Sequence, residues 1–568
     1  MTGADLFALT LRERNVEFLA TLSGNGLNPL YLACRDAGIR LIDTRNEQAA
    51  AYIADAYARL TRRVGVVAVS SGIAHVNALT GIANAWFDGA PVLLLTGESP
   101  SSQDDLGKFQ EFDHLALARP LCKYARRVLE PEKVAFCVRE ALAAATSGRP
   151  GPACLSIPVD VLSAEIPKGK AIRVRPGPGE VVQDAAADPD LVAEAARLIA
   201  RARRPVLVAG TGAFYAEAGH ELDEFARLTS IPVVVPIWDR GCVEQPADYF
   251  LGVVGAASGE PRLLPDADLV LLVGCRTDYR IGFALPPKVA ERAIIIRIDV
   301  DATELRSGAE PNVKLLGDPC TVLGQLVHAT RRLGARPHRT WLAEARRRDA
   351  AFRRRWLAGA NRESLESCES HSPDPQRSRL TSATPRMTGR HVVDAIRPFL
   401  SEELLFLIDG GNIGQWAHMA LADCYPSRWL TCGASAVVGW GLPGAIGAKL
   451  AYPKRPVLLL TGDGAFGFTI AELETSVKHS APFVIVLADD RAWGIVVSGQ
   501  RAAYGPDGIL ASRLAEVDYA KLAEAFGAIG VRADTSEQLS KAIKKGLAAD
   551  RTTLIHVPIA ILGPADQR

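Results

Sequence analysis

The 568-residue chain is 48% hydrophobic and 23% charged, with a formal net charge of +1. That length exceeds one hydrophobic core and suggests about three or four domains, and the near-neutral charge gives no reason to expect nucleic acid or an anionic membrane as partner. Ten cysteines stand singly with no C-x-x-C pair, which reads as small buried hydrophobes in a reducing compartment, not a disulfide framework or zinc site.

The start, MTGADLFALTLRERNVEF, reads as an amphipathic helix interrupted by charge, neither a signal peptide nor a membrane span. No apolar run reaches bilayer length, so a cytoplasmic protein is expected. Short apolar strands then alternate with helical patterns, which predicts an α/β protein of doubly wound parallel sheets. Two Pro-, Gly- or Ser-rich stretches, 165–190 and 359–388, read as linkers. Three domains are therefore expected, at 1–165, 188–335 and 388–560.

In the first domain, IRLIDTRNEQAAAYIADAYARL predicts a buried strand ending at Arg45 and a helix beginning at Glu47. Alone, that Glu reads better as a first-turn residue favoured by the helix dipole. The strand VGVVAV runs into Ser70-Ser71-Gly72, then a helix ending at ANAWFDG, then Ala90-Pro91 and VLLLTG. In GKFQEFDHLALARP, Phe109, Gln110, Asp113 and His114 form a polar segment after a strand. The middle domain shows four strands, in PVLVAGTGAF, IPVVVP, DADLVLLVGCR and AIIIRIDVD. Its Gly210-Thr211-Gly212 is too short for a dinucleotide fingerprint and reads as a strand-to-helix turn. The basic stretch RTWLAEARRRDAAFRRRW reads as a solvated helix, with an acidic or CoA partner as the alternative.

The third domain repeats the first: PVLLLTG runs into Asp463-Gly464, then TIAELETSVKHS, Ala481-Pro482 and FVIVLADD. The interval from Gly72 to Pro91 nearly equals that from Gly464 to Pro482, as if one α/β design were used twice. Asp463 and Asp490 close successive strands of one βαβ unit, which sets two carboxylates at the same sheet edge. Two hard oxygen ligands there suit Mg²⁺ held together with phosphate oxygens. Gly464, Ala465 and Gly467 are expected to leave a helix N-terminus uncrowded for phosphate. No Gly-Lys-Ser/Thr follows, so a Walker loop is excluded. A Gly-rich turn with a capping Asp is the plain alternative.

In order and spacing these segments resemble the thiamine-diphosphate enzymes of the acetolactate synthase type. RNEQAAAYIADAYAR, SSGIAHVNALTGIANAWFDGAPVLLLTG, FQEFDHLALARPLCKYA, GCRTDYR, VVGWGLPGAIGAKLAYP and GDGAFGFTIAELETSVKHSAPFVIVLADDRAWGI carry the resemblance, over roughly 3–165, 190–330 and 388–560. It implies a pyrimidine-binding first domain, a Rossmann-like central domain and a diphosphate-binding third domain. It implies that Glu47 faces N1′ of the cofactor's aminopyrimidine, and that Asp463, Asp490 and the Ala492 carbonyl hold Mg²⁺. Val438 falls where the family bends the cofactor. Ser70, Asn77, Gln110, Gly411, Asn412, Gly464 and Ala465 fall around it, and Asn25, His114, Trp493, Ile495, Val496 and Gln500 near the substrate. The family shares each site between subunits, so a homodimer is the minimum and a tetramer is common. FAD or ADP in the central domain stays open.

Two positions depart from the family: Asp490 stands where most relatives have Asn, and Val438 is smaller than the usual Met, Leu or Ile. Ser23-Gly24-Asn25-Gly26 lacks the His that some decarboxylases and lyases carry there. The implied activity is a carboligase: a 2-oxo acid loses CO₂ and the enamine adds to a second carbonyl compound. A lyase without decarboxylation, resembling benzaldehyde lyase or 2-hydroxyacyl-CoA lyase, is the alternative, and LIDTRNE, GIANAWFDGAPVLLLTG and DRAWGIVVSGQ lie close to benzaldehyde lyase. A silent cofactor-binding paralogue is a third, disfavoured by intact Glu47 and Asp463.

Overall fold

The computed structural model describes residues 1–167, 185–255, 261–362 (of 355–362, the backbone only), 387–421 and 423–561. Most of both expected linkers, 168–184 and 363–386, lies outside the described residues. The helix Arg339–Arg362 runs through residue 359, where the second was expected to begin.

Three six-stranded parallel sheets form the protein. The first contains β1 (Phe18–Thr21), β2 (Arg40–Asp43), β3 (Gly65–Val69), β4 (Val92–Glu98), β5 (Tyr124–Arg127) and β6 (Ala153–Pro158), in the order β2-β1-β3-β4-β6-β5. The second contains β7 (Pro205–Ala209), β8 (Val233–Pro236), β9 (Phe250–Val254), β10 (Leu269–Val273), β11 (Ile294–Asp299) and β12 (Val313–Leu316), in the order β12-β11-β10-β7-β8-β9. The third contains β13 (Leu405–Ile408), β14 (Trp429–Thr431), β15 (Val457–Gly462), β16 (Val484–Asp489), β17 (Ile529–Arg532) and β18 (Thr553–Pro558), in the order β14-β13-β15-β16-β18-β17. Counted from its own first strand, the third sheet repeats the order of the first, so the expected reuse of one design holds. The second reverses direction between β7 and β10, the doubly wound pattern with a switch point.

The middle sheet has six strands where four were expected. β9 was hidden because Gly252, at φ +85°, interrupts its apolar run, and β12 because its four residues alternate between buried and less buried. Fully buried β3, β4 and β6 are near-continuous apolar runs, as strands covered on both faces require. Gly210 and Gly212 allow the β7 turn to press on the β10 turn: a Cβ on Gly210 would lie 2.4 Å from Cys275 Cα, and one on Gly212 2.7 Å from Gly274 Cα. That close approach explains both glycines as a strand-to-helix turn.

The described residues fall into two compact units. One comprises Met1–Asp184 with Leu430–Val457 and Thr469–Pro482; the other comprises Ala185–Trp429, Leu458–Phe468 and Phe483–Arg568. In the first unit the helix Glu47–Thr61 is buried without interruption from Ala49 to Leu60. Its alanines are strong helix formers and leave room for neighbours on every side. A Cβ on Gly81 would meet Ala51 Cβ at 2.4 Å, and one on Gly447 would meet the Ile53 carbonyl at 2.6 Å. The helices Ile73–Asp88 and Gly441–Ala451 thus reach this helix through glycine. The described cysteines are free, Cys320 and Cys424 half-buried and the others buried. No helix among the described residues is long and apolar enough to cross a membrane.

Candidate active site

Glu47 is the first residue of its helix, as expected, but β2 ends earlier, at Asp43, and only Ile42 in it is buried. The chain leaves the sheet at Thr44, whose hydroxyl donates to the Asn46 carbonyl at 2.8 Å. Asn46 caps the helix by accepting the Gln48 N–H at 2.8 Å, and Glu47 Oε2 accepts from Asn77 Nδ2 at 3.1 Å. Further along the helix, Asp55 Oδ2 accepts from Trp440 Nε1 at 2.8 Å and from Asn84 Nδ2 at 3.0 Å, while Arg59 reaches Asp55 at 3.4 Å and Asp88 at 3.2 Å. Burial pushes the Asp55 carboxyl up to about 6. Half-buried Val438 lies two residues before Trp440, so the bond to Asp55 ties its segment to the helix that Glu47 begins.

The segment Thr469–Pro482 clamps the turn before Glu47. The Arg45 N–H donates to Glu472 Oε1 at 3.0 Å, and Lys478 and His479 reach Asp43 at 2.6 and 2.9 Å. Arg45 pairs with Asp43 at 2.6 Å and with Glu474 at 3.2 Å. Sequence reasoning missed Glu472. The available signal was a carboxylate beside Leu473, on the apolar side of TIAELETSVKHS.

At the carboxyl edge of the first sheet, Ser70 Oγ donates to the Asn25 carbonyl at 2.9 Å, and Asn25 Nδ2 donates to Ser99 Oγ at 3.0 Å. Gly72, at φ +59°, abuts Gln110: a Cβ there would meet Gln110 Cβ at 2.4 Å. His114 is not an open loop residue but is buried, its Nε2 accepting the Gly72 N–H at 2.9 Å, its Nδ1 3.5 Å from Glu98. Burial disfavours the Glu98 anion. Bonds from His114, Ser156 and Arg127 outweigh that and hold its carboxyl down at about 2.

In the second unit, Gly462 pairs with Ala488, so β15 and β16 end level and deliver Asp463 and Asp489-Asp490 to one edge. Asp490 Oδ2 accepts from Asn412 Nδ2 at 2.8 Å and its Oδ1 from the Ala492 N–H at 3.2 Å. Asp463 is buried, and its Oδ2 has no hydrogen-bond partner. Burial, with repulsion from neighbouring carboxylates, raises both Asp463 and Asp490 above the ordinary carboxylate range. His556 Nε2, at 2.8 Å from Asp489 Oδ2, keeps that third acid low despite its burial. An orphaned buried oxygen among repelling carboxylates fits a hard cation. Among the described residues no group of three or more His, Cys, Asp or Glu is disposed to hold a metal alone, so a cation here would need further oxygens from backbone or ligand.

Gly464 does not leave open space. A Cβ there would lie 2.8 Å from the Trp493 ring, which also meets Phe468 edge-on at 5.9 Å, whereas Gly467 has nothing within 4 Å. Gly411 is covered by Ile495, at 3.0 Å from an added Cβ. Val496 is exposed. Gln500 is tied at both ends, donating to the Leu510 carbonyl at 2.9 Å and accepting from Ser512 at 2.7 Å. The helix containing Ala465, Asp463–Gly467, spans five residues.

Comparison with known proteins gives matches over three segments of the chain. Residues 1–117, 192–326 and 409–557 match the families described as thiamine pyrophosphate enzyme N-terminal TPP binding domain, central domain and C-terminal TPP binding domain. A probable acetolactate synthase large subunit of Methanococcus aeolicus is 29% identical, covering 98% of this chain and 92% of its own. The acetolactate synthase large subunit of Mycobacterium tuberculosis is also 29% identical, covering 98% and 95%. The 2-hydroxyacyl-CoA lyase 2 of Homo sapiens is 30% identical, covering 93% and 84%.

Proposed function

The chain belongs to the thiamine pyrophosphate enzymes of the acetolactate synthase type, and on that premise we propose a Mg²⁺-dependent carboligase. In this reading it removes CO₂ from a 2-oxo acid and joins the remaining carbonyl carbon to a second small carbonyl compound. The acid cluster of Asp463 and Asp490, with its unpartnered Asp463 Oδ2, carries the reading. The two carboxylates and the Ala492 carbonyl would hold Mg²⁺, and through it the cofactor's diphosphate. The N–H groups of Gly464 and Ala465 would assist, under the cover of Trp493. Bound thiamine diphosphate supplies a carbon nucleophile. Glu47, steadied by Asn77, would share a proton with N1′ of its aminopyrimidine, the general acid/base role that frees that nucleophile. Ser70, Gln110 and Asn412 would border the cofactor, with Val438 setting its bend, and Asn25, His114, Ile495 and Val496 the substrate.

Each unit has an exposed apolar patch beside its own site residues. On the helix Ile73–Asp88, Ile73, Val76 and Phe87 are exposed along with Asn77, and in the other unit Phe468, Val496 and Leu510 are exposed around Trp493. Such patches mark binding surfaces, and they support a homodimer or homotetramer in which subunits complete one another's sites. The likeness to 2-hydroxyacyl-CoA lyase 2 favours a second reading, a lyase that cleaves without decarboxylation.

Purified protein with thiamine diphosphate and Mg²⁺ is given pyruvate, an acyloin or a 2-hydroxyacyl-CoA in separate reactions. Release of CO₂ with a new acyloin or 2-hydroxy-3-oxo acid is expected. Cleavage of the acyl-CoA alone would replace the carboligase by the lyase, and no turnover of any would leave only a silent cofactor binder.

A further inference from the structure

We propose that Glu472 is a positioning residue for Glu47: its buried carboxylate holds the Asp43–Asn46 turn through the Arg45 backbone N–H, and so fixes where the helix Glu47–Thr61 begins. The inference rests on the reading of Glu47 given above. Glu472 is 1% exposed, and its two oxygens are divided between tasks. Oε1 accepts the Arg45 N–H at 3.0 Å, and Oε2 accepts the Thr475 hydroxyl at 2.6 Å. Burial pushes the Glu472 carboxyl up to about 7, against the Thr475 hydroxyl and the Arg45 N–H, which favour the ionised form. The backbone donor two residues before Glu47 is thereby bound to a side chain anchored in another helix, Glu472–Lys478. That helix is fixed in turn by Lys478 and His479 on Asp43, and by Arg40 donating to the His479 carbonyl at 2.6 Å.

The ion pairs around the turn are half-exposed and contribute little individually. The Glu472 bond is buried, and its loss would leave an N–H without a partner. A general acid/base group must sit within hydrogen-bond reach of the atom it serves, and a displacement of about 1 Å can cost about 10²-fold. Glu472 touches no reacting atom in this arrangement. It acts through the peptide planes that aim Glu47.

The test compares Glu472→Ala, Glu472→Gln and Thr475→Val with the full-length parent. In cofactor-free protein, amide hydrogen exchange over 43–48 is expected to accelerate about 10–10²-fold in Glu472→Ala. Glu472→Gln should stay near the parent, because its carbonyl still accepts the Arg45 N–H. With thiamine diphosphate and Mg²⁺ bound, exchange of the thiazolium C2 proton should slow by a similar factor in Glu472→Ala, with kcat falling and KM unchanged. Unaltered amide exchange would overturn the proposal. So would faster amide exchange with normal C2-proton exchange, which would make the role purely structural. Should Glu472→Ala not fold, Thr475→Val, which frees Oε2, must shift both readouts the same way to a smaller extent, and no shift overturns the proposal. C2-proton exchange unaffected by Glu47→Gln would remove Glu47 and the proposal together. That failure is told apart because the amide exchange would still respond to Glu472.

Discussion

The first and third sheets share one strand order, yet their carboxyl edges hold opposite chemistry. In each, an Asn from the segment after the first strand donates to the residue after the fourth: Asn25 to Ser99 at 3.0 Å, Asn412 to Asp490 at 2.8 Å. In each, the fourth strand ends on an acid facing a buried His, Glu98 with His114 and Asp489 with His556. After the third strand the two diverge, with Ser70 in one place and Asp463 in the other. Past the third strand, the first edge presents a hydroxyl and the third a carboxylate.

The largest expected effect separates the edges by function. Glu47→Gln should fold and bind cofactor yet lose about 10²–10⁴-fold in turnover, measured under saturating cofactor. Near-parental activity would take Glu47 out of the mechanism. At the other edge, Asp490→Ala should lose the cofactor, while Asp490→Asn should remain active at saturating Mg²⁺ but need more metal for half activity. A Mg²⁺ titration of activity and of thiamine diphosphate binding decides, and unchanged metal dependence in the alanine variant would show that Asp490 is no ligand.

Acidity offers the next contrast. Glu98 lies near 2 in the folded protein against an ordinary 4.5, so it binds protons more weakly folded than unfolded. The stability it contributes is present above about 4.5 and is lost as pH falls toward 2, about 3 kcal/mol at most. Urea unfolding of parent and Glu98→Gln between pH 6 and pH 3 should show the parent's steeper decline, and parallel curves would contradict the assignment. The smallest effect compares the two asparagines. Asn412→Ala strips a buried carboxylate of a donor and should cost about 1.5–3 kcal/mol in metal-free protein, whereas Asn25→Ala, which removes an exposed side chain's bond to the neutral Ser99 hydroxyl, should cost about 0.5–1 kcal/mol. Equal losses would mean that the shared bond has the same role in both.

Much of this is legible in the residues. The apolar runs of β3, β4, β15 and β16, the alanine-rich helix after Asn46 and the placing of Asp463 and Asp490 one crossover apart follow from local chemistry. What stays hidden depends on long-range contact. Nothing near Gly464 announces that Trp493, on the far side of the next strand, covers it. Nothing near Glu472 names the Arg45 N–H as its partner, because hydrophobic period reports which face is buried and not what lies against it. His114 reads as a loop residue for the same reason: its partners, Gly72 and Ser156, lie far from it in the chain on either side.

The helix Glu47–Thr61 has a further consequence for how the protein is made. Its apolar sides are covered partly by Gly447, which meets the Ile53 carbonyl although most of the chain separates the two. At about 5–20 residues per second, the ribosome takes roughly 20–80 s to synthesise the stretch between them. Throughout that time the nascent N-terminal segment carries an uncovered alanine-rich surface, a natural client for a chaperone. Expression of residues 1–165 alone would make this condition permanent, and aggregation is its expected fate.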